Sequence, residues 1–159
     1  MAKGIVISPD KCTGCRICEL ACSFNKSDSF NPKDAAISVL EFYEVGLQVP
    51  MTCLQCDEPH CAAVCPVNAL EKDEETGVVN YDRERCIGCK MCVSACPFGN
   101  MTYSPRLKEV IKCDECGGDP QCVKLCPSGA LEYKELDSDL ERRRNYASYF
   151  KEVFGEVTR

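Results

Sequence analysis

Apolar residues recur along this chain in short, interrupted bursts. The most apolar, residues 35–45, carries Ile37, Val39, Phe42 and Tyr43, which predicts a strand. Glu41 and Glu44 break it. No stretch approaches the roughly 20 apolar residues of a membrane span, so none is expected. Residues 67–85 predict a short helical turn, a hairpin around Thr76-Gly77 and a strand through Val78, Val79, Asn80 and Tyr81. Beyond Leu136, Ser138 and Glu141 form a capping-box signature ahead of Leu140, Ala147, Phe150 and Phe154 at helical spacing. This C-terminal helix, residues 137–159 with the basic run Arg142-Arg143-Arg144, is expected either to pack on its own domain or to dock on a partner.

Those elements bury little, and composition shows what must make up the deficit. Sixteen of 159 residues are cysteine, about a tenth of the chain, a usage at which composition becomes a strong prior. They fall into four groups of four: Cys12, Cys15, Cys18, Cys22; Cys53, Cys56, Cys61, Cys65; Cys86, Cys89, Cys92, Cys96; and Cys113, Cys116, Cys122, Cys126. The first and third share the spacing C-x2-C-x2-C-x3-C, while the second and fourth widen the middle gap. Gly14, Ala21 and Phe24 recur at one offset as Gly88, Ala95 and Phe98, and Cys65-Pro66 with Ala69-Leu70-Glu71 recurs as Cys126-Pro127 with Ala130-Leu131-Glu132. The chain is an internal duplication.

Three cysteines within seven residues crowd a single tetrahedral zinc ion but can reach three iron atoms of a cubane cluster. The opening residues offer no apolar signal-peptide core, so the cytoplasm, where disulfides are rare, is the expected compartment. In two-cluster ferredoxins such a run supplies three ligands to one cluster and sends its last cysteine, followed by proline, to the other. On that rule one cluster takes Cys53, Cys56, Cys61 and Cys96, and its neighbour takes Cys86, Cys89, Cys92 and Cys65. The simplest closed arrangement of the rest uses Cys12, Cys15 and Cys18 with Cys126, and Cys113, Cys116 and Cys122 with Cys22. Cys22 departs from the pattern, being followed by Ser23 rather than proline. A competing topology pairs the first group with the second and the third with the fourth. The expected fold is α+β: two pseudo-symmetric bacterial-ferredoxin-like units, residues 1–48 with 100–136 and an inserted unit 49–99, plus the C-terminal helix.

From Lys11 to Leu136 the order and spacing of the cysteines resemble the iron-sulfur subunits of the dimethyl sulfoxide reductase and formate dehydrogenase type. The resemblance implies four 4Fe-4S clusters, with first motif paired to fourth and second to third. Cys18 to Phe24, Phe30-Asn31-Pro32 and Val49-Pro50 look most like the small subunits accompanying tungsten enzymes of the aldehyde ferredoxin oxidoreductase type. It implies an electron-transfer subunit, not itself catalytic, serving a tungsten or molybdenum pterin enzyme. A ferredoxin or a flavin- or NAD-linked subunit would stand at the far end, and further copies of the chain are another expected partner. Hydrogenase, carbon monoxide dehydrogenase or formate dehydrogenase partners, and an iron-sulfur assembly or sensing role, are the alternatives. With 25 acidic against 19 basic side chains, the formal charge of −6 gives no reason to expect nucleic acid.

Around the motifs, Lys11, Arg85 and Lys112 each stand just before a first cysteine, with Arg16 and Lys90 inside two loops. Their charge either favours reduced clusters or forms a solvated face. His60, the single histidine, is expected to be a loop residue, since sixteen cysteines already make four complete sets. Gly14 and Gly88 are expected to let backbone approach the clusters. Phe24, Phe98, Ile17, Met91, Val64 and Leu125 are expected to pack around them, and the iron-free chain to be largely unfolded.

Overall fold

The computed structural model describes residues 2–136, so the expected C-terminal helix lies outside the described residues. Regular structure comes in short pieces. Strand β1 (Ala2–Ile7) leads into helix α1 (Ile17–Ser27), followed by β2 (Ile37–Phe42) and β3 (Leu47–Thr52). Next come α2 (His60–Ala63), β4 (Leu70–Lys72), β5 (Val79–Tyr81) and α3 (Met91–Ala95). The described chain finishes with β6 (Thr102–Ser104), β7 (Glu109–Ile111), α4 (Gln121–Lys124) and β8 (Leu131–Leu136).

The strands form four separate antiparallel ribbons, β1 with β8, β2 with β3, β4 with β5 and β6 with β7. The first runs in register from Ala2 opposite Leu136 to Ile7 opposite Leu131. In the helices, α1 packs on α4 and α2 on α3. Elements flanking the first cysteine group thus meet those of the fourth, and elements flanking the second meet those of the third. A two-stranded ribbon is marginal alone and needs a packed face. Ile5, Ile7, Ile37, Val39, Ile111 and Leu131 supply one small core, in which Cys18, Cys22, Cys113 and Cys122 are buried as well. Leu70, Val79, Met101 and Val110 with Cys92 supply the other.

The expected strand in residues 35–45 is β2, and the hairpin around Thr76-Gly77 is the β4–β5 connection. The helical turn expected after residue 67 is a correction. Pro66 has no amide proton to donate and Asn68 adopts a left-handed φ of 50°, so the chain turns once and enters β4.

Asp34 joins distant parts of the chain. Its carboxylate is buried and accepts from Ser104 Oγ at 2.5 Å, from Arg106 Nε and Nη2 at 2.9 and 2.6 Å, and from Asn31 Nδ2 at 2.8 Å. The β6–β7 hairpin is thereby pinned to the turn that precedes β2. Among the described residues no helix is long and apolar enough to cross a membrane.

Candidate metal centres

Each cysteine motif opens with the same backbone device. The third residue of every motif, Gly14, Gln55, Gly88 and Glu115, is left-handed, with φ of 68°, 47°, 69° and 53°. That conformation curls the loop so that successive amides face inward, the geometry of an anion-binding nest. Glycine adopts it freely, whereas Gln55 and Glu115 do so at a cost of about 1–2 kcal/mol each. Both of these side chains are buried. At Gly14 space is restricted too, since a Cβ there would lie 2.9 Å from Gln48 Cγ, whereas one on Gly88 would meet nothing within 4 Å. Protein atoms thus crowd Gly14 and leave Gly88 open.

Three cavities are each ringed by four cysteines. One is lined by Cys12, Cys15, Cys18 and Cys126 with Val39, Pro50 and Leu131. A second is lined by Cys65, Cys86, Cys89 and Cys92 with Tyr81 and Val110. A third is lined by Cys53, Cys56, Cys61 and Cys96 with Val79 and Met101. The remaining four also meet. Burial, then Cys113, Cys22 and Cys116, pushes the Cys122 thiol up, and Cys116 acts on Cys22 in the same sense. The sets adjoin, because Cys18 also acts on Cys122 and Cys53 on Cys113, while Cys61, Cys86, Cys92 and Cys96 border one core. At the two extremes of this series Cys15 and Cys89 are exposed.

The residues present fit iron-sulfur clusters. Four cysteines around one cavity are the ligand set of a 4Fe-4S core. Amides already point at sulfur: Ala36 N donates to Cys22 Sγ at 3.3 Å, Ala69 N to Cys65 Sγ at 3.2 Å and Gly88 N to Cys86 Sγ at 3.4 Å. Such donors stabilise thiolate and sulfide charge. The Tyr81 hydroxyl is buried without a hydrogen bond of ordinary geometry among the described residues, beside the Cys86 sulfur.

Two closing cysteines share an environment that follows from their sequence. Burial opposes ionisation of Cys65, but amides of Val67, Ala69, Leu70 and Asn68 outweigh it and hold the thiol below its ordinary value. Cys126 is lowered likewise, against its own burial, by the Ser128 hydroxyl and the amides of Leu131, Ala130 and Ser128. The repeated Cys-Pro-x-x-Ala-Leu is thus a thiolate nest. Cys22, lacking the proline, lies in α1 and takes its amide from Ala36 instead. Elsewhere burial dominates, pushing Cys18 and Cys113 up to about 12 and Cys61 to about 11. Such thiols stay protonated at neutral pH until a cation such as iron displaces the proton.

Several neighbours differ from expectation. His60 opens α2 rather than sitting in a loop, and it lines the Cys53 cavity. Phe98 lines that cavity and Met91 the Cys86 one, as expected of packing residues, although Met91 is half exposed. Ile17, Phe24 and Leu125 are substantially exposed, and Phe24 stacks on Phe30 at 4.8 Å instead of on a cysteine set. Ile17 and Phe24 lie off the face that α1 buries, which is made by Cys18, Glu19, Cys22 and Ser23. The basic residues divide. Lys11 and Arg85 are exposed and paired with Glu132 and Asp82, at 3.5 and 3.2 Å, whereas Lys112 is buried. Gln55, a residue the motif pattern does not single out, sits beside it. Its Nε2 donates to Cys113 O at 2.9 Å, and its Oε1 accepts from Val79 N at 3.0 Å.

Sulfur-ringed cavities held by left-handed loops and short ribbons define an iron-sulfur protein of the ferredoxin-like class. More closely, the chain belongs to the 4Fe-4S dicluster domain family, whose model matches residues 45–136, and a 4Fe-4S binding domain matches residues 5–25. It is 46% identical over 114 residues to the aliphatic sulfonate oxidoreductase polyferredoxin-like subunit of Pyrococcus furiosus, covering 71% of this chain and 65% of that one. It is 38% identical over 106 residues to the electron transport protein HydN of Escherichia coli strain K12, covering 64% of this chain and 59% of HydN. The chain thus spans somewhat under two thirds of these relatives' lengths. Among solved structures, the active site complex BamBC of benzoyl coenzyme A reductase with benzoyl-CoA holds a similar chain. That chain has a TM-score of 0.52 and 27% identity, with 98% of this chain and 93% of that one covered.

Proposed function

We propose that this chain is the cytoplasmic electron-relay subunit of a larger oxidoreductase, carrying four 4Fe-4S clusters in two nested ferredoxin-like units. The outer unit comprises residues 1–48 and 100–136, with clusters on Cys12, Cys15, Cys18, Cys126 and on Cys113, Cys116, Cys122, Cys22. The inserted unit, residues 49–99, carries clusters on Cys53, Cys56, Cys61, Cys96 and on Cys86, Cys89, Cys92, Cys65. The observation that carries this reading is the crossing of motifs in the cavities, where Cys126 lines the same cavity as Cys12, 114 residues earlier. Bound clusters would supply one-electron steps between two oxidation levels. The protein's part is to hold thiolates in inward-facing amide nests, to keep water out with Val39, Leu131, Val79 and Val110, and to fix the sequence of sets from Cys15 to Cys89.

The partner we favour is a tungsten or molybdenum pterin oxidoreductase, with a ferredoxin or a flavin- or NAD-linked subunit at the other end. Support comes from the relatives, which are named as an oxidoreductase subunit and an electron transport protein. Anaerobic copurification with metal analysis tests it: tungsten or molybdenum in the complex is expected, and nickel would overturn the choice of partner. Ligand pairing is tested by Cys15→Ser and Cys126→Ser, which should perturb the same cluster's electron paramagnetic resonance signal. Signals lost from different clusters would refute the nested arrangement.

A further inference from the structure

Lys112 occupies the position just before a motif's first cysteine, as Lys11 and Arg85 do, yet only 3% of its surface is exposed. Its ammonium donates to Cys113 O at 2.6 Å, Gln55 Oε1 at 3.0 Å and Cys53 Sγ at 3.2 Å, which uses all three protons. No carboxylate is among these partners. Glu109 and Asp114 line the same cleft, but Arg83 holds the first at 2.8 Å and Lys26 the second at 3.1 Å. A buried cation is costly unless an opposite charge faces it, and the Cys53 sulfur that Lys112 touches would carry negative charge once it ligates iron.

Internal duplication shows that the fold does not require a cation at this place. Thr52 stands before Cys53 as Lys112 stands before Cys113, and the contacts are exchanged: Thr52 lies against the Cys113 sulfur and Lys112 against the Cys53 sulfur. One copy of the repeat manages with a neutral side chain. Gln55 holds the ammonium in place, its amide spanning Val79 N, Lys112 Nζ and Cys113 O. The cation is therefore fixed at the boundary between the Cys53 set and the Cys113 set, in a buried environment where charge acts strongly.

We propose that Lys112 sets the reduction potential at the junction of the two units, its ammonium favouring the extra electron on the Cys53 cluster, and more weakly on the Cys113 cluster, over what a neutral side chain would allow. This deepens the four-cluster reading and rests on it. Gln55 is the positioning residue that aims the charge.

The test is an anaerobic redox titration of the full chain, followed by electron paramagnetic resonance, with iron analysis alongside. Wild type should hold about sixteen iron atoms, and a clearly lower content would overturn the four-cluster reading itself. Lys112→Met should keep its iron while the reduction equilibrium of one cluster falls roughly tenfold, a shift of about 59 mV to more negative potential for one electron. Lys112→Arg should stay near wild type, and Lys11→Met, which removes an exposed charge, should shift nothing. Unchanged potentials in an iron-replete Lys112→Met refute the proposal. If that variant loses iron, Lys112→Gln carries the test, and loss of the same cluster from both makes Lys112 a structural residue and overturns it.

Discussion

Replacing Asp34 by alanine should weaken the protein more than any other substitution away from the cysteines and their loops. The carboxylate gathers four donor contacts in one buried place, three of them from the β6–β7 hairpin. A hydrogen bond to a charged acceptor contributes about 1.5–3 kcal/mol, and Ser104, itself buried, has the most to lose. Arg106 is half exposed, so its ion pair contributes at most about 1 kcal/mol. Together these give a loss of about 2–4 kcal/mol. For a chain of this length that corresponds to a fall in Tm of roughly 5–15 °C. Cluster loss makes the transition irreversible, so thermal bleaching of the brown holoprotein should be compared at one heating rate. Ser104→Ala should fall between wild type and Asp34→Ala, and Arg106→Met close to wild type. Ser104 is the largest cause holding the Asp34 carboxylate below its ordinary value, with Arg106 also lowering it against burial. A lowered carboxylate contributes stability that is complete above the unfolded value and drains only as pH falls through the folded one. The gap between wild type and Asp34→Asn should therefore be constant from about pH 5.5 to 8. An Asp34→Ala protein bleaching within about 1 °C of wild type, or a gap that changes across that pH range, would refute the reasoning.

Other outcomes follow from the loops. Gly14→Ala and Gly88→Ala both force a side chain into left-handed backbone at about 1–2 kcal/mol, but Gly14→Ala also drives a Cβ into Gln48. It should bleach at the lower temperature of the two, and Gln48→Ala should recover part of the difference. Gln55→Ala keeps the backbone strain and loses the three bonds, whereas Gln55→Gly loses the bonds and relieves the strain. Glycine should thus be the milder change by about 1 kcal/mol in matched denaturant melts. Removing iron with an anaerobic chelator should abolish most far-ultraviolet circular dichroism structure, because the two cores are small and partly built of cysteine. Native-like spectra from the iron-free chain would contradict this.

Much of the candidate site was legible in the sequence because its signals are local. Cysteine spacing and the turn at Thr76-Gly77 each lie within a short window, and the duplication shows as constant offsets between matching residues. Burial contributed by distant residues was not legible. Lys11, Arg85 and Lys112 share a motif position, and only the fold separates two solvated ion pairs from one buried ammonium lying against a residue 59 positions away. Gln55 gave no signal because glutamine in a tight loop looks like surface, and its left-handed backbone is invisible in composition. Phe24 misled for the opposite reason: its recurrence as Phe98 suggested a shared role, yet one stacks on Phe30 and the other lines a cavity.

The ribbon that joins Ala2–Ile7 to Leu131–Leu136 also constrains the order of synthesis and loading. On the nested pairing, every ligand of the inserted unit has left the ribosome once Cys96 has emerged. The ring around Cys12 stays one thiol short until Cys126 arrives. A nascent chain can therefore accept its central pair of clusters while the outer pair still waits. Stalling translation after Cys96 has cleared the ribosome but before Cys126 has should yield an intermediate holding half the iron, with the first motif's thiols open to alkylation.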